Sequence, residues 1–346
     1  MTSPVGGPLL QLTLWRIRDF TREPEALFWV FAFPIILAFA LGLAFSSRGP
    51  AVVRIAVEDG PGGRQLHESL DSLPDIESVL LAGDEAQRRL STGRIALVAV
   101  AGEPALLRYD STRSEANLAR LVVENAIQEV SGRRDVREIR EQRVTDPGSR
   151  YIDFLIPGLI GMNIMGTGLW GVGYGIVRQR NHKLLKRLLA SPMRKSQYML
   201  SHVLARMVFL VGEVGAVLLF GHLVFGVPVR GSLFSIAAIV FIGALTFSGI
   251  GLLVASRART IEGVSGLMNL VMVPMWIFSG IFFAYSNFPE VLHPFIVAIP
   301  LTALNDALRA VMLEGASIVA VGGLLAIVAG WGLASFGVAL KMFRWE

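Results

Sequence analysis

The residues able to do chemistry are few, and their spacing brings almost none of them together. His67, His182, His202, His222 and His293 are scattered along the chain, and no two stand at an acid–base or metal-ligand spacing. Cysteine is absent, which removes thiolate nucleophiles, thiolate metal sites and disulfides. No GxxxxGK[ST] phosphate loop, HExxH or GxSxG occurs, so no metal is expected and no nucleotide held in the usual cradle. What remains is polar groups inside long apolar runs, and one basic block. Glu213 lies near the middle of such a run, where an ionisable group is costly. It either carries a proton or meets a cationic solute, or it is protonated or paired with a polar neighbour. Asn163 is the second polar candidate within an apolar run, while Asp153 and Asp306, near the run ends, read as interfacial.

The basic block is VRQRNHKLLKRLLASPMRK, residues 177–195. It carries Arg178, Arg180, Lys183, Lys186, Arg187, Arg194 and Lys195 and no acid. Placed between two apolar runs, it marks a cytoplasmic loop, because flanking Lys and Arg are retained inside. At helical spacing Leu184, Leu185, Leu188 and Leu189 gather on one side and Lys183, Lys186 and Arg187 fall largely on the other. This predicts a short helix over 183–190 in or under the headgroups, stopped by Ser191-Pro192. Its leucines should bury against the chain's own spans, leaving the cations to face a partner or the lipid headgroups.

The elements that must position these residues are mostly apolar. Hydrophobic residues make up 53% of the 346, only 17% are charged, and the mean hydropathy is +0.56. That composition predicts a polytopic α-helical membrane protein. The pI of about 9.9 does not point to nucleic acid. Residues 48–150 hold 15 arginines and 17 acids, net −2, whereas the remainder holds 17 basic and 10 acidic residues, net +7. The basic excess belongs to the membrane half.

In chain order, residues 1–23 form an interfacial amphipathic helix. Leu10, Leu14 and Ile17 make its stripe with Trp15 beside them, and Arg16, Arg18 and Arg22 lie opposite. A helix on the soluble side, packed on some partner, is the alternative. Residues 24–47 contain the first transmembrane helix, kinked at Pro34, with no clear cleavage site. Residues 48–150 read as a small α/β extracytoplasmic domain, placed outside by counting spans. Its strands are expected at 51–57, 76–81, 94–100 and 105–109 and its helices at 63–73, 84–90 and 115–130. The last helix gathers Leu118, Leu121, Val122, Asn125 and Val130 near one face, and 133–143 reads as a solvated helix.

Residues 151–346 supply transmembrane helices two to six, expected at 153–177, 198–225, 232–255, 263–284 and 317–340. The second holds Gly158, Gly161, Gly166, Gly168, Gly171, Gly173 and Gly175, which serve either close helix packing or a glycine-lined path. Residues 285–315, broken by Pro289, Pro294 and Pro300, read as re-entrant or interfacial outer helices. Arg257 and Arg259 fall in an inner loop, and Lys341 and Arg344 put both termini in the cytoplasm.

Three stretches resemble one family. Tyr151 to Met207, YIDFLIPGLIGMNIMGTGLWGVGYGIVRQRNHKLLKRLLASPMRKSQYMLSHVLARM, is similar to the second span, coupling segment and third-span start of type-2 ATP-binding-cassette (ABC) exporter permeases. LLVASRARTIEGVSGLMNLVMVPMWIFSGIFF, from Leu252, resembles their fourth-to-fifth span region, and FPEVLHPFIVAIPLTALNDALRAVMLEG their outer re-entrant helices. The order of elements matches over essentially the whole chain. Where many members have an acidic ERERGTLE-like sequence, this chain reads RQRNHKLL at 178–185. The resemblance implies a permease subunit with no cofactor of its own, ATP and Mg being held by a partner ATPase in two copies. A second permease copy or a paralogue would complete the pathway, in the bacterial inner membrane and among its lipids. Arg178, Arg180, Lys183, Leu184, Lys186, Arg187 and Leu188 would contact the ATPase, with Trp15, Arg16 and Arg18 on a collar beside it. An envelope adaptor is the partner expected for the outer domain. The implied substrate is a drug, antibiotic or lipid-like amphiphile. Two alternatives stand beside this: a proton-coupled secondary transporter centred on Glu213, and an envelope protein whose outer domain binds a partner.

Overall fold

The computed structural model describes residues 8–45, 52–133, 148–181, 195–258 and 260–342. The chain divides into two compact units, Met1–Ser46 with Val144–Glu346, and Ser47–Arg143.

In the first unit an amphipathic helix, α1 (Pro8–Thr21), precedes six helices long and apolar enough to cross a membrane. These are span 1 (Pro24–Ala44), span 2 (Tyr151–Arg178), span 3 (Leu204–Phe225, within a helix Lys195–Phe225), span 4 (Leu233–Arg257), span 5 (Ile261–Phe278) and span 6 (Gly322–Met342). Span 2 is the centre: 83% of it is buried inside the chain, against 61% of span 4 and only 17% of span 5. The reason lies in its small residues. A Cβ at Gly168 would stand 2.7 Å from Phe247 Cβ of span 4, and one at Gly173 would stand 2.7 Å from Gly251 O. Such close approach brings Leu155, Leu159, Ile164 and Leu169 into full burial beside Ile239 and Phe247. Gly158 and Gly161 are equally crowded, whereas Gly171 and Gly175 meet nothing within 4 Å. Close packing therefore explains four of the glycines and leaves those two facing open space.

Pro34 has the local effect that its missing amide dictates. Span 1 passes through a π-helical turn at Phe28–Ala32 before resuming as an α-helix. The fifth span is shorter than the apolar run: it ends at Phe278, not Ala284, because Gly280 takes a left-handed φ of 65° and the chain leaves the helix there. The sixth starts at Gly322, after a turn over 317–321.

The second unit is a four-stranded sheet with helices on both faces. Strands β1 (Val53–Glu58), β2 (Ile76–Leu81), β3 (Leu97–Val100) and β4 (Leu106–Tyr109) lie in the order β2-β1-β3-β4, with only the β3–β4 pair antiparallel. Helix α2 (Gly63–Asp71) joins β1 to β2, α3 (Gly83–Ser91) joins β2 to β3, and α4 (Ser114–Val130) follows β4. Ile55 and Val57 pack with Leu70, Ala119 and Val123 on one face; Ala56 and Val98 pack with Ala86 on the other. A central parallel strand buried on both faces explains the unbroken apolar run at 55–57. The face of α4 that meets the sheet is Ala116, Ala119, Val123 and Ala126, whereas Leu118 and Leu121 are exposed. Small residues let the helix sit close to the sheet, and the larger leucines fall outside that contact. The solvated helix expected over 133–143 lies outside the described residues beyond Arg133.

After span 5 the chain makes α5 (His293–Ala298) and α6 (Pro300–Glu314). The α6 helix is bent 86° from the segment Glu290–Ala298 before it. Ile299–Pro300 makes the corner, with proline at the first helical position, and Gly315, at φ 72°, ends α6.

Candidate functional site

Spans 2 and 3 flank residues 182–194, which lie outside the described residues together with the predicted contacts Lys183, Leu184, Lys186, Arg187 and Leu188. Arg178 and Arg180 are placed, at the end of the span 2 helix. Arg178 Nη1 pairs with Glu23 Oε1 at 3.1 Å, just before span 1, and Arg180 Nη1 donates to Ala258 O at 3.2 Å, just after span 4. The two arginines therefore tie this end of span 2 to two different neighbours. Partial burial pushes the Arg180 guanidinium below its ordinary value. Helix α1 packs beside span 3, with the rings of Phe20 and Phe209 at 4.2 Å and Thr13 buried. Trp15 is 54% exposed and Arg18 is exposed, so the outward face of α1 carries both an aromatic ring and a cation.

Deeper in the bundle Glu213 has partners. Arg206 Nη1 pairs with Glu213 Oε1 at 2.5 Å, and Thr167 Oγ1 of span 2 donates to Glu213 Oε2 at 3.2 Å. Arg206 Nη2 donates to Thr167 Oγ1 as well. The side chains of Glu213 and Arg206 are 1% and 10% exposed. A buried polar group is costly without partners, and here a guanidinium and a hydroxyl stand within hydrogen-bond reach of the carboxyl oxygens. Arg206 escaped the sequence reading, though its position seven residues before Glu213 puts both on one helical face, and that spacing was the available signal.

Asn163 completes a different part of the bundle. Its Nδ2 donates to Val30 O at 3.0 Å. Pro34 has no amide hydrogen for the carbonyl four residues earlier, which is that of Val30, and the Asn163 side chain supplies a donor from span 2. Asp153, in the first turn of the span 2 helix, is fully buried within the chain. It accepts from Gly148 N (2.8 Å), Arg150 N (3.1 Å) and Arg150 Nη2 (2.8 Å), capping the first turn of span 2. The side-chain bond to Asp153 raises the Arg150 guanidinium above its ordinary value. Asp306 pairs with Arg309 at 3.3 Å and is mostly buried.

No group of His, Asp and Glu able to hold a metal occurs among the described residues. His222 and His293 meet backbone carbonyls of Val227 and Phe288, and His67 meets a side chain: its Nδ1 and Ser78 Oγ are 2.6 Å apart, with Asp71 Oδ1 accepting from Ser78 N. Ser78 is 6% exposed and Asp71 meets the serine and not the histidine, so the trio anchors α2 to β2 and lacks the order of a nucleophilic triad.

The arrangement is that of a multi-pass membrane protein of the transporter type, with a central glycine-packed span, a sheet unit inserted after span 1 and a bent helix pair before span 6. Residues 24–341 match the family model described as ABC-2 family transporter protein, and the chain belongs to that family. Among its relatives are ABC transporter G family member 20 of Dictyostelium discoideum, 27% identical over 174 residues (49% of this chain, 23% of that protein). Inner membrane transport permease YhhJ of Escherichia coli is 25% identical over 184 residues (53% and 49%), and linearmycin resistance permease protein LnrN of Bacillus subtilis 25% over 202 residues (58% and 50%). The match thus spans about half the length of the bacterial relatives and less than a quarter of the Dictyostelium protein.

Proposed function

We propose that this chain is the membrane-spanning permease subunit of an ATP-driven exporter, with its energy input at residues 178–195. One observation carries the reading: the two helices that flank this segment are cross-tied inside the bundle by Thr167, Arg206 and Glu213. A push on the segment would then move spans 2 and 3 together as one stiff lever, and Arg178–Glu23 and Arg180–Ala258 would pass it to spans 1 and 4. Two copies of a separate ATPase subunit dock there in this reading and carry out the ATP hydrolysis. Both termini are cytoplasmic and residues 48–150 extracytoplasmic, where an envelope adaptor binds, in a bacterial inner membrane. A second permease copy or paralogue meets the least buried span, span 5, whose outward face carries Asn269 among Leu270, Val273 and Ile277. An exposed amide at that depth needs a polar partner, which lipid does not offer. The substrate is a drug, antibiotic or lipid-like amphiphile; the linearmycin resistance relative supports that class. Glu213 acts as a structural partner of Arg206, and that pairing counts against a free proton carrier.

The test is co-purification of the full chain with an ATPase carrying a phosphate loop, and vesicle transport of an amphiphilic dye. Deleting residues 183–190 should release the ATPase or leave its hydrolysis unlinked to dye movement. An ATPase that stays bound and coupled without that segment refutes the proposal.

A further inference from the structure

Span 5 breaks at Ser279–Gly280, and the polar groups that meet the break come from α6. Thr302, Asn305, Asp306 and Arg309 recur at three- and four-residue spacing and so form one stripe of that helix. Asn305 Nδ2 donates to Ser279 O at 2.9 Å, and Arg309 Nη2 donates to Gly280 O. Arg309 also reaches Phe154 O of span 2 at 3.4 Å, and its guanidinium carbon lies 3.7 Å from the centre of the Phe154 ring. Span 2 leaves room for the stripe. A Cβ at Gly161 would fall on Asn305 Oδ1, and one at Gly158 would stand 3.2 Å from Arg309 Nη2.

This contact is incompletely satisfied. Ser279 Oγ, Thr302 Oγ1 and Asn305 Oδ1 are buried and have no hydrogen-bond partner among the described residues. Two helices meeting permanently in an apolar interior gain nothing from such groups, since each dry hydroxyl or amide oxygen forfeits its bonds to water. The same stripe is unremarkable if it faces water part of the time. The pair that contains it lies between two left-handed glycines, Gly280 (φ 65°) before α5 and Gly315 (φ 72°) after α6, and is bent by 86° at its own corner. Broken helices at membrane depth persist where they are buried in protein or line a wet cavity.

We infer that the α5–α6 pair has two positions, and that Asn305 and Arg309 are the latch holding it against the break in span 5. In the second position Thr302, Asn305 and Ser279 line a water-filled passage between α6 and spans 2 and 5. Asn305 and Arg309 are positioning residues: they fix the break, and solute passes only when they let go. That the passage serves transport rests on the exporter reading; that the pair moves does not.

The chain has no cysteine, so one introduced thiol reports alone. The full chain is placed in phosphatidylethanolamine–phosphatidylglycerol nanodiscs and treated with a cationic methanethiosulfonate reagent. Thr302→Cys in the otherwise unchanged chain should react slowly. Adding Arg309→Gln should raise that rate about tenfold or more, the population shift expected when a charge-assisted hydrogen bond is lost. Arg309→Lys, which keeps one cationic donor, should fall between. Leu304→Cys, buried on the other side of α6, should stay unreactive in both backgrounds. Equal Thr302→Cys rates with and without Arg309→Gln overturn the latch, and so does acceleration of Leu304→Cys alongside, which would mean general loosening. A rate raised by Arg309→Gln but unmoved by the partner ATPase with ATP keeps the latch and counts against the exporter reading alone.

Discussion

Replacing Glu213 by Gln keeps the shape of the side chain and removes its charge, leaving the Arg206 guanidinium buried at 10% exposure with Thr167 as its remaining side-chain partner of full strength. Breaking a buried ion pair by removing one partner costs about 3–5 kcal/mol, because the other charge stays desolvated and uncompensated. The amide oxygen of Gln still accepts from Arg206, so the low end, about 3 kcal/mol, is expected. For a membrane unit of this size each kcal/mol moves the midpoint roughly 2–4 °C, which predicts an apparent melting temperature lowered by roughly 6–12 °C in detergent. The charge-free double variant Arg206→Met, Glu213→Leu should recover most of that loss, since a matched apolar pair is often as stable as the ion pair it replaces. Melting followed by size-exclusion chromatography of heated samples reads both variants. A Glu213→Gln chain within about 2 °C of the parent, or a double variant no better than the single, would refute a charged pair at this site.

Gly168→Ala should destabilise the membrane unit by about 1–3 kcal/mol, because its Cβ meets Phe247 at 2.7 Å, whereas Gly171→Ala, with nothing within 4 Å, should be neutral in the same heating assay. In the sheet unit, Leu97→Ala, fully buried, should cost about 2–5 kcal/mol, while Leu118→Gln with Leu121→Gln should change stability by no more than about 0.5 kcal/mol; chemical denaturation checks the contrast. Asp110 is held below its ordinary 3.8 by the Thr112 hydroxyl and then by the Thr112 amide. A depressed carboxylate contributes stability above its unfolded value and loses it as pH falls through the folded one. Thr112→Val should therefore speed exchange of the backbone amide at position 112 near neutrality, and the difference should vanish well below pH 3.8. Asn163→Leu should weaken the membrane unit by about 1–3 kcal/mol through the orphaned Val30 carbonyl, with Asn163→Ser restoring part of it; the same heating assay checks it.

Periodicity made the large elements legible. The strand over 76–81 emerges with its expected bounds, and the three helices of the sheet unit fall within two residues of theirs, because β-branched runs and turn residues bounded them locally. The polar interior was less legible. Glu213 looked solitary, since its partners come from one helical face seven residues away and from a different span. The burial of Asp153 was not legible because hydropathy registers the end of a run and cannot register that Arg150 folds back over the carboxylate. The core face of α4 was not legible either: the sequence places Leu118 and Leu121 near one face, but alanines make the contact with the sheet, and only the distance of the helix from the sheet decides between them.

The bond from Asn163 to Val30 also bears on how the chain is made. Span 1 emerges from the ribosome well over a hundred residues before Asn163 does, and a carbonyl without a donor in hydrocarbon costs several kcal/mol. Until span 2 arrives, that cost must be met by water, headgroups or the insertion machinery, which would keep the first span near the wet edge of the bilayer. Biogenesis of this chain would then be governed by its second hydrophobic segment, with the first settling to its final depth only once that helix is beside it.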